Sequence, residues 1–334
     1  MTALAARRTL AVAALAVVFC AGFLWSLAIG PEHIGLRSLI SGIFAPNDSV
    51  QQLIVHSVRL PRALLAGLVG AALAVAGAVM QAITRNPLGT PDILGINSGA
   101  AVVVALASTI VPSLGDLPLL ALSFAGAAGA AAIVLILAHV GRAAESPLRF
   151  ALAGVTISLL LYSIMQGVLV VFSQDASTLY FWLVGGVNYA RWKNITLAYP
   201  WILAGAALAL SLASRLNALE LGDDVARALG QDVGRTRLLG VVSVVLLAGA
   251  AVGVAGPVAF LALVVPHVVR RTFGRDHRVL LPLSALTGAA LLIYADIATR
   301  YLGHHIEMPA GVVTAALGAP FLVLLVRRVE VATA

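Results

Sequence analysis

Runs of roughly 20 uncharged, apolar residues recur along this 334-residue chain from one end to the other, and nothing else in it limits the fold so tightly. A hydrocarbon layer about 30 Å thick is crossed by a helix of that length, and only a helix satisfies its own backbone hydrogen bonds there. With 61% hydrophobic and 10% charged residues, the chain has too little polar surface for a soluble globule. Apolar blocks between polar or Pro/Gly breaks give ten helices, beginning near Thr9, Pro61, Asp92, Leu117, Leu148, Ile195, Thr236, Pro257, Val279 and Pro309, the eighth one short. The expected fold is an all-α integral membrane protein, a compact bundle of about ten transmembrane helices built by residues 1–334 as a single domain.

The first block, Thr9 to Ile29, follows Arg7 and Arg8 as the core of a signal peptide would. It is too long for one, and Gly30-Pro31-Glu32-His33 offers no small-x-small cleavage pattern, so the block reads as a retained helix. Its cysteine, Cys20, is the chain's only one; this excludes an internal disulfide and a cysteine zinc site, and Cys20 is read as a packing residue.

The net charge of +7 comes from 21 cations scattered between apolar blocks, a topology signal and not a nucleic-acid face. With the amino terminus inside, 15 of the 21 fall on the cytoplasmic side and 6 (Arg37, Arg59, Arg62, Arg191, Lys193 and Arg300) outside, which places both termini in the cytoplasm. Small residues, as in Ala66-Gly67-Leu68-Val69-Gly70-Ala71-Ala72, let helices approach closely. Gly70–Val79 and Gly249–Val258 match at seven of ten positions on helices of opposite direction, a pattern that inverted-repeat transporters share.

A phosphate-binding loop of the G-x-x-x-x-G-K-[ST] form is missing, because the sole lysine, Lys193, follows Trp192. Any ATP-driven step therefore belongs to a separate subunit, acting on a cytoplasmic surface of this one. The longest cytoplasmic polar interruption lies near residues 216–235. Within it Leu221, Gly222, Asp223, Asp224, Ala226, Arg227, Leu229 and Gly230 form a short helix closed by glycine at each end, with acids early and Arg227 late to suit its dipole. An ordinary solvated loop helix has the same pattern.

Asp296 is the one acid read inside an apolar span, and Arg300 four residues later is its expected helical partner; without a free midplane acid, an ion-coupled secondary transporter is the weaker alternative. His304 and His305 with Glu307 have ligand chemistry, but adjacent histidines point apart, so a wet loop is expected and no metal or cofactor. Ser98 in Gly95-Ile96-Asn97-Ser98-Gly99 has no G-x-S-x-G frame and no base placed beside it; no catalytic residue is found. Arg59 and Arg62 flank Leu60-Pro61 at an outer helix end, against the topological bias. Arginine's rigid fork suits a partner's carboxylates, while snorkelling anchors would look alike.

Arg59-Leu60-Pro61-Arg62, Gly77-Ala78-Val79-Met80-Gln81, Asn86-Pro87-Leu88-Gly89, the Leu-Gly-x-x-x-Ala-x-x-Leu-Gly run ending at Gly230, Val265-Pro266-His267 and Gly311-Val312-Val313-Thr314 resemble, in order and over nearly the whole chain, the FecCD family of ABC importer permeases. That family includes cobalamin, haem and ferric siderophore permeases. The resemblance implies a bacterial inner-membrane permease subunit paired with a second permease copy or homologue, two ABC ATPase subunits below, which bind the ATP and magnesium, and a periplasmic substrate-binding protein above. It implies that Arg59, Arg62 and Arg300 meet carboxylates of the binding protein, that Leu221–Gly230 docks on the ATPase, and that the inner gate lies at Glu145-Ser146-Pro147-Leu148. Pro147 and Leu148 differ from the small hydroxyl pair of the cobalamin permease. An iron chelate, with ferric siderophore first and haem or cobalamin behind it, is the expected cargo.

Overall fold

The computed structural model describes residues 2–30, 32, 34–44, 49–139, 147–172, 182–302 and 308–333. The regular elements among them are helical. In chain order they are α1 (Thr2–Ala28), α2 (Leu36–Phe44), α3 (Val50–Thr84), α4 (Ile96–Ile110), α5 (Asp116–His139), α6 (Pro147–Val171) and α7 (Trp192–Ser211). Then follow α8 (Ala213–Glu220), α9 (Asp223–Ala228), α10 (Val233–Ala255), α11 (Leu261–Phe273), α12 (His277–Leu302) and α13 (Ala310–Thr333). Seven of the described helices are long and apolar enough to cross a membrane; α4, α11 and the described apolar part of α13 fall short of that length.

α3 is the centre of the bundle. Of its most apolar window, 78% is buried inside the chain, against 17% for α1, which lies at the edge. The helix starts earlier than the predicted Pro61, and the reason is local. Pro61 donates no hydrogen bond and its ring crowds the carbonyl four residues back, so the helix opens into a π turn over Val55–Arg59 instead of ending. At its far end Arg85 takes the left-handed conformation (φ 49°), and the Asn86 amide reaches back to the Gln81 carbonyl at 3.2 Å, closing the helix. The Asn-Pro-Leu-Gly motif then turns, with the Asn86 side chain accepting from the Leu88 amide at 2.9 Å.

Small residues set the spacing as expected. A methyl group added at Gly70 would run into the Gly288 carbonyl on α12, and one at Gly288 into the Gly70 carbonyl; Gly99 on α4 and Gly126 on α5 are locked in the same reciprocal way. Gly77 is pressed equally hard on the Ala262 carbonyl of α11. Its counterpart in the matched segment, Gly256, instead has φ 68° and precedes Pro257, so the two copies differ: α3 runs on where α10 stops.

Two predicted helix starts move for related reasons. Pro91 opens a 3-10 turn (Pro91–Leu94) that Gly95 ends at φ 67°, so α4 begins at Ile96 and not near Asp92. Gly256 to Phe260 is unwound, so α11 begins at Leu261 and not near Pro257. Cys20 is a further correction, since it is exposed on the outward face of α1 and packs no core. That face lies at the bundle's edge, where the chain's own surface is apolar.

Candidate functional site

At one end of the bundle the sequence-predicted arginines converge. Asp296 on α12, 0% exposed, pairs with Arg300 one turn on at 2.6 Å, as its i,i+4 spacing requires. Arg62 on α3, which sequence spacing could not place, grips the same carboxylate: its Nη2 donates at 2.7 Å and its Nε at 3.0 Å. Arg62 also donates to the Asn188 side-chain oxygen at 3.4 Å.

Arg59 is 4% exposed and its role is different. It donates to the carbonyls of Leu27 (3.0 Å), Ala28 (2.7 Å) and Glu32 (2.6 Å), covering the carboxyl-terminal end of α1. Arg300 adds bonds to the Ser26 carbonyl at 2.7 Å and the Ile29 carbonyl at 3.1 Å. Unpaired helix-end carbonyls carry partial negative charge, so two arginines there fasten α1 to α3 and α12. All three arginines thus have partners within the chain, and among the described residues three guanidiniums against Asp296 and the nearby Glu32 leave the cluster positive.

The opposite end carries α8 and α9. The predicted short helix forms as Asp223–Ala228, between Gly222 (φ 119°) and Gly230 (φ 78°), conformations that an L side chain resists. Asp223 ties it down: Arg237 of α10 binds its carboxylate at 2.9 Å and Arg85 at the end of α3 approaches to 3.8 Å. Ala226 is fully buried beneath the helix. On the other side Leu221, Val225 and Leu229, four residues apart, are 68%, 43% and 68% exposed, an apolar stripe flanked by charges.

Sequence reasoning missed the network behind α9. Arg270, three residues past Val265-Pro266-His267, donates to the Gln81 side chain at 3.1 Å and faces Glu220 at 3.5 Å, joining α11, α3 and α8. Burial pushes the Glu220 carboxyl above its usual range, against the pull of Arg270 and Arg275. Asn217 of α8 donates to Asp276 at 2.7 Å and accepts from the His277 amide at 2.8 Å, fixing the start of α12. These bonds hold Asp276 below the usual carboxylate range, the Asn217 bond first and the Arg278 amide next. The VPH motif was the available signal, but no spacing rule linked it to Glu220.

Of the inner-gate residues, Glu145 and Ser146 lie outside the described residues, while Pro147 and Leu148 open α6. His304, His305 and Glu307 also lie outside them. Among the described residues no group of three potential metal ligands forms.

The model of the FecCD transport family matches residues 16–328. The Fe(3+)-citrate import system permease protein YfmD of Bacillus subtilis (strain 168) is 38% identical, over 93% of this chain and 92% of that one. The Fe(3+) dicitrate transport system permease protein FecC of Escherichia coli (strain K12) is 38% identical over 96% of each. A solved inward-facing structure of an ABC transporter classed as metal-chelate type superposes with a TM-score of 0.82 at 30% identity, covering 94% of this chain and 98% of that one.

Proposed function

The chain belongs to the FecCD transport family, and from that premise we propose how its two ends divide the work of an importer. It is a multi-pass membrane permease of a bacterial ABC importer for iron chelates; ATP hydrolysis is the task of another subunit. Ferric siderophores are the proposed cargo ahead of haem or cobalamin, because iron chelates are what the similar permeases are named for. The proposed topology is ten spans with both termini in the cytoplasm of a bacterial inner membrane, and the working unit pairs two permeases, identical or homologous, with two ATPases and a periplasmic binding protein.

The observation that carries the division of work is the Leu221, Val225, Leu229 stripe. An exposed apolar stripe among Asp223, Asp224 and Arg227 marks a docking surface, and it is proposed to be covered by the ATPase. Asp223, held by Arg237 and Arg85, makes α9 part of α10 and α3, so a push on α9 moves the central helix rather than a loose loop. At the other end the positive cluster of Arg59, Arg62 and Arg300 is the proposed seat for carboxylates of the binding protein. Arg59 serves chiefly by holding α1 in place, and Arg62 and Arg300, 16% and 12% exposed, present the charge. The connection of Glu145, Ser146, Pro147 and Leu148 is the proposed inner gate.

The test is uptake of radioactive iron chelate by inverted and right-side-out vesicles from cells with and without the cognate ATPase. Uptake that needs ATP and the ATPase supports the reading. Uptake driven by an ion gradient without an ATPase would replace it with a secondary carrier.

A further inference from the structure

Irregular backbone at membrane depth persists only where protein buries it or where it lines a polar cavity. This chain has such backbone in three places that meet. The 3-10 turn Pro91–Leu94 lies midway along α6, where the Ser158 hydroxyl donates to the Asp92 carbonyl at 2.9 Å. The unwound Gly256–Phe260 stretch lies against Gly185, and the Gly185 carbonyl accepts from the Gly311 amide at 2.9 Å at the start of α13. Together they wall a cavity of about 450 Å³, within the roughly 300–1,000 Å³ range of small-molecule sites.

The wall is apolar, with Val184, Pro257, Val312 and Ala315, except at Asp92 and Asn97. Asp92 is exposed and lines the cavity, and Asn97 lines the same wall. Asn97 is 7% exposed, and its side-chain oxygen has no partner. A buried amide oxygen without a donor is costly, so a turn of the Asn97 side chain toward the cavity, where a ligand's donor meets it, is favoured. Both groups are hydrogen-bond acceptors. They suit N–H, O–H or ammonium groups on a ligand, and they disfavour a carboxylate-rich anion.

We propose that this cavity is a substrate-contact subsite of the passage, in which Asp92 and Asn97 take the donor-bearing face of a neutral or cationic ferric chelate of the hydroxamate class. The proposal rests on the importer reading and adds the chemistry that the passage selects.

The experiment uses the whole complex of permease, ATPase and binding protein in proteoliposomes. The probes are ferrioxamine B (ammonium-bearing), ferrichrome (neutral) and ferric dicitrate (anionic). Uptake of a ferric hydroxamate that falls at least about tenfold in Asp92→Asn and in Asn97→Leu is expected, a change of about 1.4 kcal/mol. The half-saturating concentration of binding protein should stay unchanged, which separates a contact in the passage from a docking defect. A second measurement keeps Asp92 and Asn97 intact. In a Cys20→Ser background, Val312→Cys should react with a methanethiosulfonate reagent several-fold more slowly during turnover with hydroxamate-loaded binding protein than with empty binding protein. Uptake confined to ferric dicitrate, undiminished uptake in both variants, or equal labelling rates would overturn the subsite while leaving the importer intact. Failure of every ferric chelate to enter would overturn the importer reading and the subsite with it.

Discussion

Replacing Asp296 with asparagine takes the shared counter-charge from two guanidiniums at once. The carboxylate is fully buried and receives charge-assisted bonds from Arg62 at 2.7 and 3.0 Å and from Arg300 at 2.6 Å. Removing one partner of a buried pair costs about 3–5 kcal/mol, because the charge left behind stays desolvated. At 1.4 kcal/mol per decade, the unfolding equilibrium should rise by at least about a hundredfold. Arg62→Gln is milder, at about 1–3 kcal/mol, since Arg300 still neutralises Asp296. The double variant should cost less than the sum, because the two residues share one network. Detergent-driven unfolding in bicelles, followed by tryptophan fluorescence, reads all three; Trp25 of α1 and Trp192 of α7 lie at this end of the bundle. A loss below about 1 kcal/mol for Asp296→Asn would mean a solvated surface pair and refute the buried clamp.

Gly77→Val should destabilise by about 1–3 kcal/mol or more in the same assay, since its side chain meets the Ala262 carbonyl, whereas Gly129→Ala, with open space at its Cβ, should be neutral. Asp223→Asn should loosen α9 from Arg237 and Arg85, so ATP consumed per chelate imported rises severalfold in proteoliposomes; an unchanged ratio contradicts the rigid link. Asp276, with its proton affinity lowered by Asn217 and the Arg278 amide, contributes stability that is present above the ordinary carboxylate range and is lost as pH falls through its own lower value. Acid unfolding should therefore lose part of its pH dependence in Asp276→Ala, and an identical acid profile would remove Asp276 from the account.

Hydropathy exposed the helices because lipid imposes a single requirement on length and polarity, and Gly222 and Gly230 marked α9 because glycine signals local backbone needs. The pairing of Asp296 with Arg300 was legible for the same reason, being one turn apart. What stayed hidden depends on chain-distant contact. Arg62 joins Asp296 from a helix 234 positions away, and Glu220 meets Arg270 only because α8 packs beneath α3 and α12. Asp92 was read as the start of a spanning helix, when Pro91 and Gly95 instead keep the backbone irregular there and turn an acid toward a cavity inside the bundle.

The coupling proposed for α9 sets its exposed leucines against a separate ATPase. A photo-crosslinking amino acid at Leu229, 68% exposed, would be activated in living cells and the captured protein identified by mass spectrometry. A P-loop ATPase should be captured from Leu229 and from Val225 but not from Leu159, exposed on α6. Chelate uptake that continues with no ATPase captured at either position would contradict it.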